Sequence, residues 1–490
     1  MPSLGGNLSI WECHQRMLAL RRLELWPKYR QKLLPLISKD HQNREVASGP
    51  LYIQMTVHHF NKLIEVKREV KVVVDRRIKQ LQTPPKPINS PPIIPTLTPP
   101  TITLIPNYQV HRLGDVYTGR RQIMRHLGID IGTRTIVVAY RGEDGNPHFI
   151  SEINGYWPFE RATPFIKNML DDPNKTRSDG TKRSARWFEM PETGQAIILG
   201  QDAEEFAYAK NDTLRRPMAE GGISADEEAM TVLSSIVQGL MEMAENEVGK
   251  FDGEVKVCYC TTAPALNKDI NVDYHERVIN IVIDAYETKA KIQRKSIKES
   301  HAIVINQSPD GTGIGISWGA GTVTVSYVKY GLEIFSFSWV GAGDWIDEQV
   351  AIRHGYSPFS SKIKKKTAKE TPTTVSKRKM TVDLTPDKKQ DDRIGLDIAL
   401  HYDVLISTVI DGIIKGFVEN ESEARLDSGG VVNVYMAGGT SSPKGFVKRV
   451  SKKFDEFELP FGIGTITRSE LPLYCVAVGC LEAAEKGIVD

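Results

Sequence analysis

Apolar residues recur along this chain in two rhythms, every third or fourth position or every second, and the changes of rhythm lay out the elements. In residues 9–38, Trp11, Met17, Leu18, Leu20, Leu23 and Leu25 stand at helical spacing with basic residues between them. Residues 52–82 repeat the pattern, so two or three helices are expected over residues 1–82. Residues 83–106 hold nine of the 27 prolines. Such a run favours extended polyproline-type backbone over a packed core, which makes 83–123 a tether and a domain boundary. Beyond it the rhythm turns to period two. Leu127 and Ile129 lead into Asp130-Ile131-Gly132-Thr133-Arg134-Thr135, and the apolar run Ile136–Tyr140 follows. Two β-branched runs around a polar, glycine-bearing turn predict a β-hairpin. Met124 stands just ahead of it, where a shorter product would begin.

The remaining chain alternates between the two rhythms. Strand-like pieces run to about residue 210, with a polar, mobile loop expected at Asp171–Ser184. Helices are expected at Asp226–Asn246, Tyr274–Glu287, 397–419, Phe446–Phe454 and Pro472–Lys486. Strands are expected at Glu254–Cys260, Ala290–Gln293, Val323–Tyr330 and Val431–Met436. A second glycine-rich hairpin is expected at Gly315-Ile316-Ser317-Trp318-Gly319-Ala320-Gly321-Thr322. The polar, basic stretch 359–395 gives no clear pattern. Strands interleaved with helices make the body α/β.

Composition narrows the picture. At 490 residues the chain is too long for one core, and 25% charged residues is the content of an ordinary globular protein. No run of about 18 apolar residues occurs, so no transmembrane helix is expected, and Arg16, Arg21, Arg22 and Glu24 break any signal-peptide core. Five cysteines, two of them in the apolar run around Cys258-Tyr259-Cys260, fit buried thiols in a reducing, cytoplasmic compartment. The net charge of +2 hides a split: residues 1–123 carry 19 Lys and Arg against 8 Asp and Glu, the rest 44 against 53. A basic arm of this kind serves nucleic acid, anionic lipid or a protein partner, and it equally suits an amphipathic helical appendage with a solvated face.

The candidate chemistry lies in four glycine turns, each beside an apolar strand. They are Asp130-Ile131-Gly132-Thr133, Trp318-Gly319-Ala320-Gly321-Thr322, Gly341-Ala342-Gly343-Asp344 and Gly438-Gly439-Thr440-Ser441-Ser442. Taken singly, each is compatible with an ordinary turn. In this order they suit one nucleotide, because glycine lets backbone N–H groups approach phosphates closely and the last turn opens a helix. Thr133 and Arg134 add donors, and Asp130 at a strand end suits a hydrated Mg²⁺.

With these motifs in place, residues 124–490 resemble the actin-type ATPase superfamily, which includes actin, MreB and DnaK-type chaperones. Arg216–Ala225, Val340–Glu348 and Ser469–Ala477 are similar to three MreB segments. The resemblance implies two actin-like lobes, duplicated ribonuclease H-like domains around a nucleotide cleft, at 124–260 and 261–490, with the last helix returning to the first lobe. It implies ATP and Mg²⁺ as cofactors. Asp130 would orient the Mg²⁺ shell; Gly132, Thr133, Gly319, Gly321 and Thr322 would wrap the phosphates. Gly343, Asp344, Gly438, Gly439 and Thr440 would lie near the ribose, and Lys364 by the adenine. Glu276 matches the glutamate that polarises the attacking water, with Glu299 of Glu299-Ser300, similar to the DnaK-type E-P, as a second candidate. Glu276 reads equally well as a solvated helix residue.

The departures from that pattern bear on activity. Ser317 stands where the family has an aspartate, Thr324 where it has an acid, and Lys366 where a glutamate is expected. Losing a positioned carboxylate costs on the order of 10²–10⁴ in rate. The expectation is therefore an ATP-binding, filament-forming cytoskeletal protein that self-associates and is at most a weak ATPase. The alternatives are a DnaK-like chaperone or reactivating factor, a small-molecule kinase of the same fold, and a nucleotide-binding module with a degenerate catalytic site.

Overall fold

β1 (His126–Ile131) and β2 (Thr135–Arg141) form the hairpin that the alternation around Asp130 predicts, with Asp130 opposite Val137. The structure is a computed structural model and describes residues 126–487, apart from 178–179, 181–183, 192, 211, 252, 287, 289, 358–369, 391 and 425–429. The helices expected over 1–82, the tether over 83–123, Lys364 and Lys366 lie outside the described residues. After the hairpin come β3 (Pro147–Ile153), β4 (Tyr156–Phe159), α1 (Pro164–Leu170), β5 (Trp187–Glu189), β6 (Ala196–Leu199) and α2 (Gly200–Ala209). Then follow β7 (Met218–Ala219), β8 (Gly222–Ile223), α3 (Glu227–Val248), β9 (Glu254–Thr261), α4 (Val272–Asp284) and β10 (Lys291–Lys298). A second series runs α5 (Glu299–Gln307), β11 (Gly313–Trp318), β12 (Thr322–Lys329), β13 (Leu332–Val340), α6 (Gly343–Arg353) and α7 (Pro372–Lys379). It closes with α8 (Arg393–Glu419), β14 (Val431–Ala437), α9 (Phe446–Asp455), β15 (Gly462–Arg468) and α10 (Cys475–Glu485).

Two five-stranded sheets share one plan. The first has the order β10-β9-β1-β2-β3 and the second β13-β12-β11-β14-β15. In each, three strands form an antiparallel meander and two more add in parallel on the other side of the meander's first strand. This repeated order is the two-lobed, duplicated ribonuclease H-like fold of the actin type. The lobe boundary falls later than residue 260. β10 belongs to the first sheet, because a strand parallel to β9 needs a crossover, and α4 supplies it.

Each lobe is held by helices that bury one stripe against its sheet. In α3, Val232, Leu233, Ile236, Val237 and Leu240 recur at three and four residues and are all buried, and Gly249 ends the helix at φ +93°. In α8, Asp392 Oδ1 accepts from the Gly395 N–H at 2.7 Å, and Tyr402, Ile406, Val409 and Ile413 face the second sheet's core. The small antiparallel sheet β4-β6-β5 forms an outer layer of the first lobe. The polar stretch 171–184, expected to be mobile, is tied down at its described residues. Lys175 and Arg177 both pair with buried Asp202, and Trp187 Nε1 donates to Asp171 at 2.8 Å.

Between the sheets lie α5 and α10, and glycines set the spacing. A Cβ on Gly128 of β1 would stand 2.0 Å from the Ala477 carbonyl of α10. One on Gly479 of α10 would stand 2.0 Å from the Ala302 carbonyl of α5, and one on Gly315 of β11 2.0 Å from the Ser300 carbonyl of α5. Backbone therefore rests on backbone from one sheet through both helices to the other. No helix among the described residues is long and apolar enough to cross a membrane.

Candidate nucleotide site

Three of the four glycine turns meet at the Gly319 carbonyl. Thr440 Oγ1 donates to it at 2.7 Å and the Gly343 N–H at 3.3 Å, while a Cβ on Gly343 would stand 2.3 Å from Thr440 Oγ1. Tyr402 supports the cluster from below, its hydroxyl donating to the Thr440 carbonyl at 2.8 Å. Gly438 leads into this turn at φ +93°, and its Cα faces the Trp318 backbone, where no side chain fits. Gly439 opens the short 3₁₀ turn Gly439–Ser441. The fourth turn arrives from the first lobe. A Cβ on Gly321 would stand 2.7 Å from Thr133 Oγ1, so the hairpin tips face each other across the cleft. Gly132 is held in its turn by the Gly132 N–H to Thr135 carbonyl bond at 3.1 Å, and its own carbonyl accepts from Asn154 Nδ2 at 2.9 Å.

A third hairpin, β7–β8, packs against the second tip. Its turn residues Glu220 and Gly221 both have positive φ, 51° and 75°. A Cβ on Gly221 would stand 2.4 Å from Thr322 Cγ2. The Gly221 carbonyl accepts from His275 Nδ1 at 3.3 Å, and burial pushes that imidazole down to about 4, so it is neutral there.

Two sequence-predicted residues sit at the cleft mouth. Arg134 turns outward, donating to Ser376 Oγ at 2.8 Å and lying 3.7 Å from Glu204. Asp344, at the start of α6, pairs with Arg216 of the first lobe at 2.7 Å. Behind it Asp347 and Lys379 form a buried ion pair at 2.8 Å, and Lys379 also donates to the Gly343 carbonyl at 2.7 Å.

Beneath the tips lies the acid cluster. Asp130 Oδ1 accepts from Cys260 Sγ at 3.1 Å, on the sheet face that α10 and α5 cover. Burial pushes Asp130 up to about 6, against the lowering effect of that thiol. Glu299, first residue of α5, shares this space. Burial and then the Asp130 charge push it up to about 8, while the hydroxyls of Ser317 and Thr324 hydrogen-bond its carboxyl and oppose the shift. Ser317 and Thr324 face each other across β11 and β12. Thr324 continues into a buried hydroxyl chain through Ser338, at 3.1 Å, to Thr262 of the first lobe, 2.7 Å further.

Glu276 is elsewhere. It accepts from Ser296 Oγ on edge strand β10 at 2.8 Å and acts on Tyr259, whose side chain lies on the sheet face away from Asp130. Of the two glutamates considered, the structure brings only Glu299 to Asp130. The surroundings of α5 were hidden from periodicity, because Ser300 to Ile305 are all buried and no polar stripe marks the helix. The remaining signal was Glu299 itself, a charge set between an edge strand and an apolar run.

A family model described as Volactin matches residues 124–484. The chain belongs to the Volactin family. No curated protein matches the sequence. Among solved structures the chain is similar to a MamK double helical filament, at 16% identity over 73% of this chain and 98% of that one, with a TM-score of 0.49. It is also similar to a non-polymerising MamK mutant bound to AMPPNP, at 16% identity over the same shares, with a TM-score of 0.43.

Proposed function

We propose that this Volactin-family chain binds ATP with Mg²⁺ in the cleft between its lobes, hydrolyses it slowly and self-associates into filaments in the cytoplasm. The observation that carries the nucleotide part is the meeting of four glycine turns over the Asp130–Glu299 pair. In this reading Gly132, Thr133, Gly319, Gly321 and Thr322 close on the phosphates, and Gly343, Gly438, Gly439 and Thr440 lie by the ribose. The acid pair fits a hard divalent cation: two neighbouring, half-buried carboxyls hold on to protons until a cation compensates their charge. When bound, Mg²⁺ neutralises phosphate charge. Asp130 and Glu299 would hold its shell, and Glu299, hydrogen-bonded by Ser317 and Thr324, would orient a water towards the terminal phosphate. Glu276 keeps a part only if α4 moves. The filament part rests on the MreB-like segments 216–225, 340–348 and 469–477. Four buried, unpaired thiols, Cys258, Cys260, Cys475 and Cys480, suit a reducing compartment.

The test is light scattering and negative-stain imaging of the purified protein with ATP, ADP and no nucleotide in Mg²⁺ buffer, with phosphate release followed in parallel. Nucleotide-dependent filaments with slow release support the reading. ATP binding with no polymer at any concentration removes the filament part and leaves a monomeric switch or chaperone-like role.

A further inference from the structure

Arg134, a donor expected at the phosphates, is hydrogen-bonded to Ser376 in this structure. A second cation lies at the end of the first sheet. Lys298, last residue of β10, pairs with Thr261 in the sheet register. Its Nζ donates to Thr261 Oγ1 and to the Thr262 carbonyl, both at 3.2 Å. These groups lie at the carboxyl ends of parallel strands β9 and β10, next to β1 and Asp130, the edge where open α/β sheets receive ligands. The Thr262 hydroxyl continues into the Ser338–Thr324 chain, which ties this point to the second lobe. The Lys298 charge acts on both Glu299 and His275. Among the described residues no carboxylate oxygen comes within ion-pair distance of Lys298. Its two bonds are long and neutral, and a partly buried ammonium in that state favours an incoming anion.

Lys298 adds a positive charge beside the two acids. That charge favours phosphate oxygens bound directly as well as through metal. We propose that Lys298 binds the terminal phosphates of the nucleotide, so that nucleotide binding depends only weakly on Mg²⁺. The inference rests on the nucleotide reading above and concerns which group meets the phosphates.

The experiment titrates the full chain with ATP, ADP and AMP by calorimetry, in EDTA and in millimolar Mg²⁺, for wild type, Lys298→Gln and Lys298→Arg. Melting curves check that each variant folds. Wild type is expected to bind ATP in EDTA within about tenfold of its affinity in Mg²⁺. Lys298→Gln is expected to weaken ATP and ADP by about 10–100-fold in EDTA, as loss of a charged hydrogen bond does. The same variant leaves AMP nearly unchanged and regains part of the loss in Mg²⁺, while Lys298→Arg retains binding. Equal ATP affinity for wild type and a folded Lys298→Gln overturns this inference and leaves ATP binding standing. Strict Mg²⁺ dependence of the wild type overturns it too. No nucleotide binding by the wild type in either buffer overturns the parent reading, and this one with it.

Discussion

The two hairpins of the candidate site, β1–β2 and β11–β12, are built alike and equipped differently. Each opens with a glycine pressed on a helix backbone, Gly128 on α10 and Gly315 on α5, both at 2.0 Å for an added Cβ. Each turn is closed by one glycine N–H, Gly132 to Thr135 at 3.1 Å and Gly319 to Thr322 at 3.0 Å. At matching places, however, the first hairpin has Asp130 opposite Val137 and the second has Ser317 opposite Thr324. Backbone geometry was kept in both copies because any Cβ would collide. In the proposed reading, Glu299 at the start of the adjoining helix supplies the carboxylate that the second hairpin lacks at Ser317. A helix N-terminus suits a carboxylate, since its unpaired N–H groups favour negative charge.

That comparison breaks most visibly at Glu299. Glu299→Gln is expected to lower single-turnover phosphate release by about 10²–10⁴ while ATP still binds, with Glu276→Gln falling less than tenfold. The reverse ranking would return the role to α4. Making the copies alike again is the next largest effect. Ser317→Asp places a third carboxylate beside Asp130 and Glu299, and is expected to cost the ligand-free protein about 3 kcal/mol in urea melts, recovered in millimolar Mg²⁺. A variant as stable as wild type without Mg²⁺ would mean that the acids are further apart than described.

The shared backbone gives a paired prediction. Gly128→Ala and Gly315→Ala each force a helix off its strand and are expected to lose about 2 kcal/mol, to a similar extent, by chemical denaturation. A loss confined to one of them would show that only one lobe is rigidly mounted. The smallest effect is that of pH on His275. Its folded value of about 4 lies below the ordinary 6.5 of an unfolded imidazole. The unfolded chain therefore binds the proton first, and stability present above about pH 6.5 is lost as pH falls towards 4. His275→Gln is expected to flatten that loss, by about 1–2 kcal/mol between pH 7 and pH 5.

Much of this was legible from residue order. Short β-branched and apolar runs marked β1, β2 and β9, and the stripe of α3 gave its place to within a residue or two at each end. The glycine turns were visible because a turn against backbone tolerates little else. What stayed hidden depends on neighbours far along the chain. α5 carries no stripe, since sheets and α10 surround it. The choice between Glu276 and Glu299 depends on which face of β9 each meets: Cys260 turns towards Asp130 and Tyr259 away from it. The contact of Arg134 with Ser376, 242 residues later, could not be read from the sequence either.

The glycine contacts through α10 and α5 also bear on how such a sequence is free to drift. A core leucine can be exchanged for methionine or isoleucine with some repacking, but a carbonyl 2.0 Å from the missing Cβ leaves no substitute of any size. Among natural relatives, Gly128, Gly315 and Gly479 are therefore expected to vary less than the acids and hydroxyls of the candidate site. The backbone contacts between the sheets would then outlast any particular chemistry carried above them.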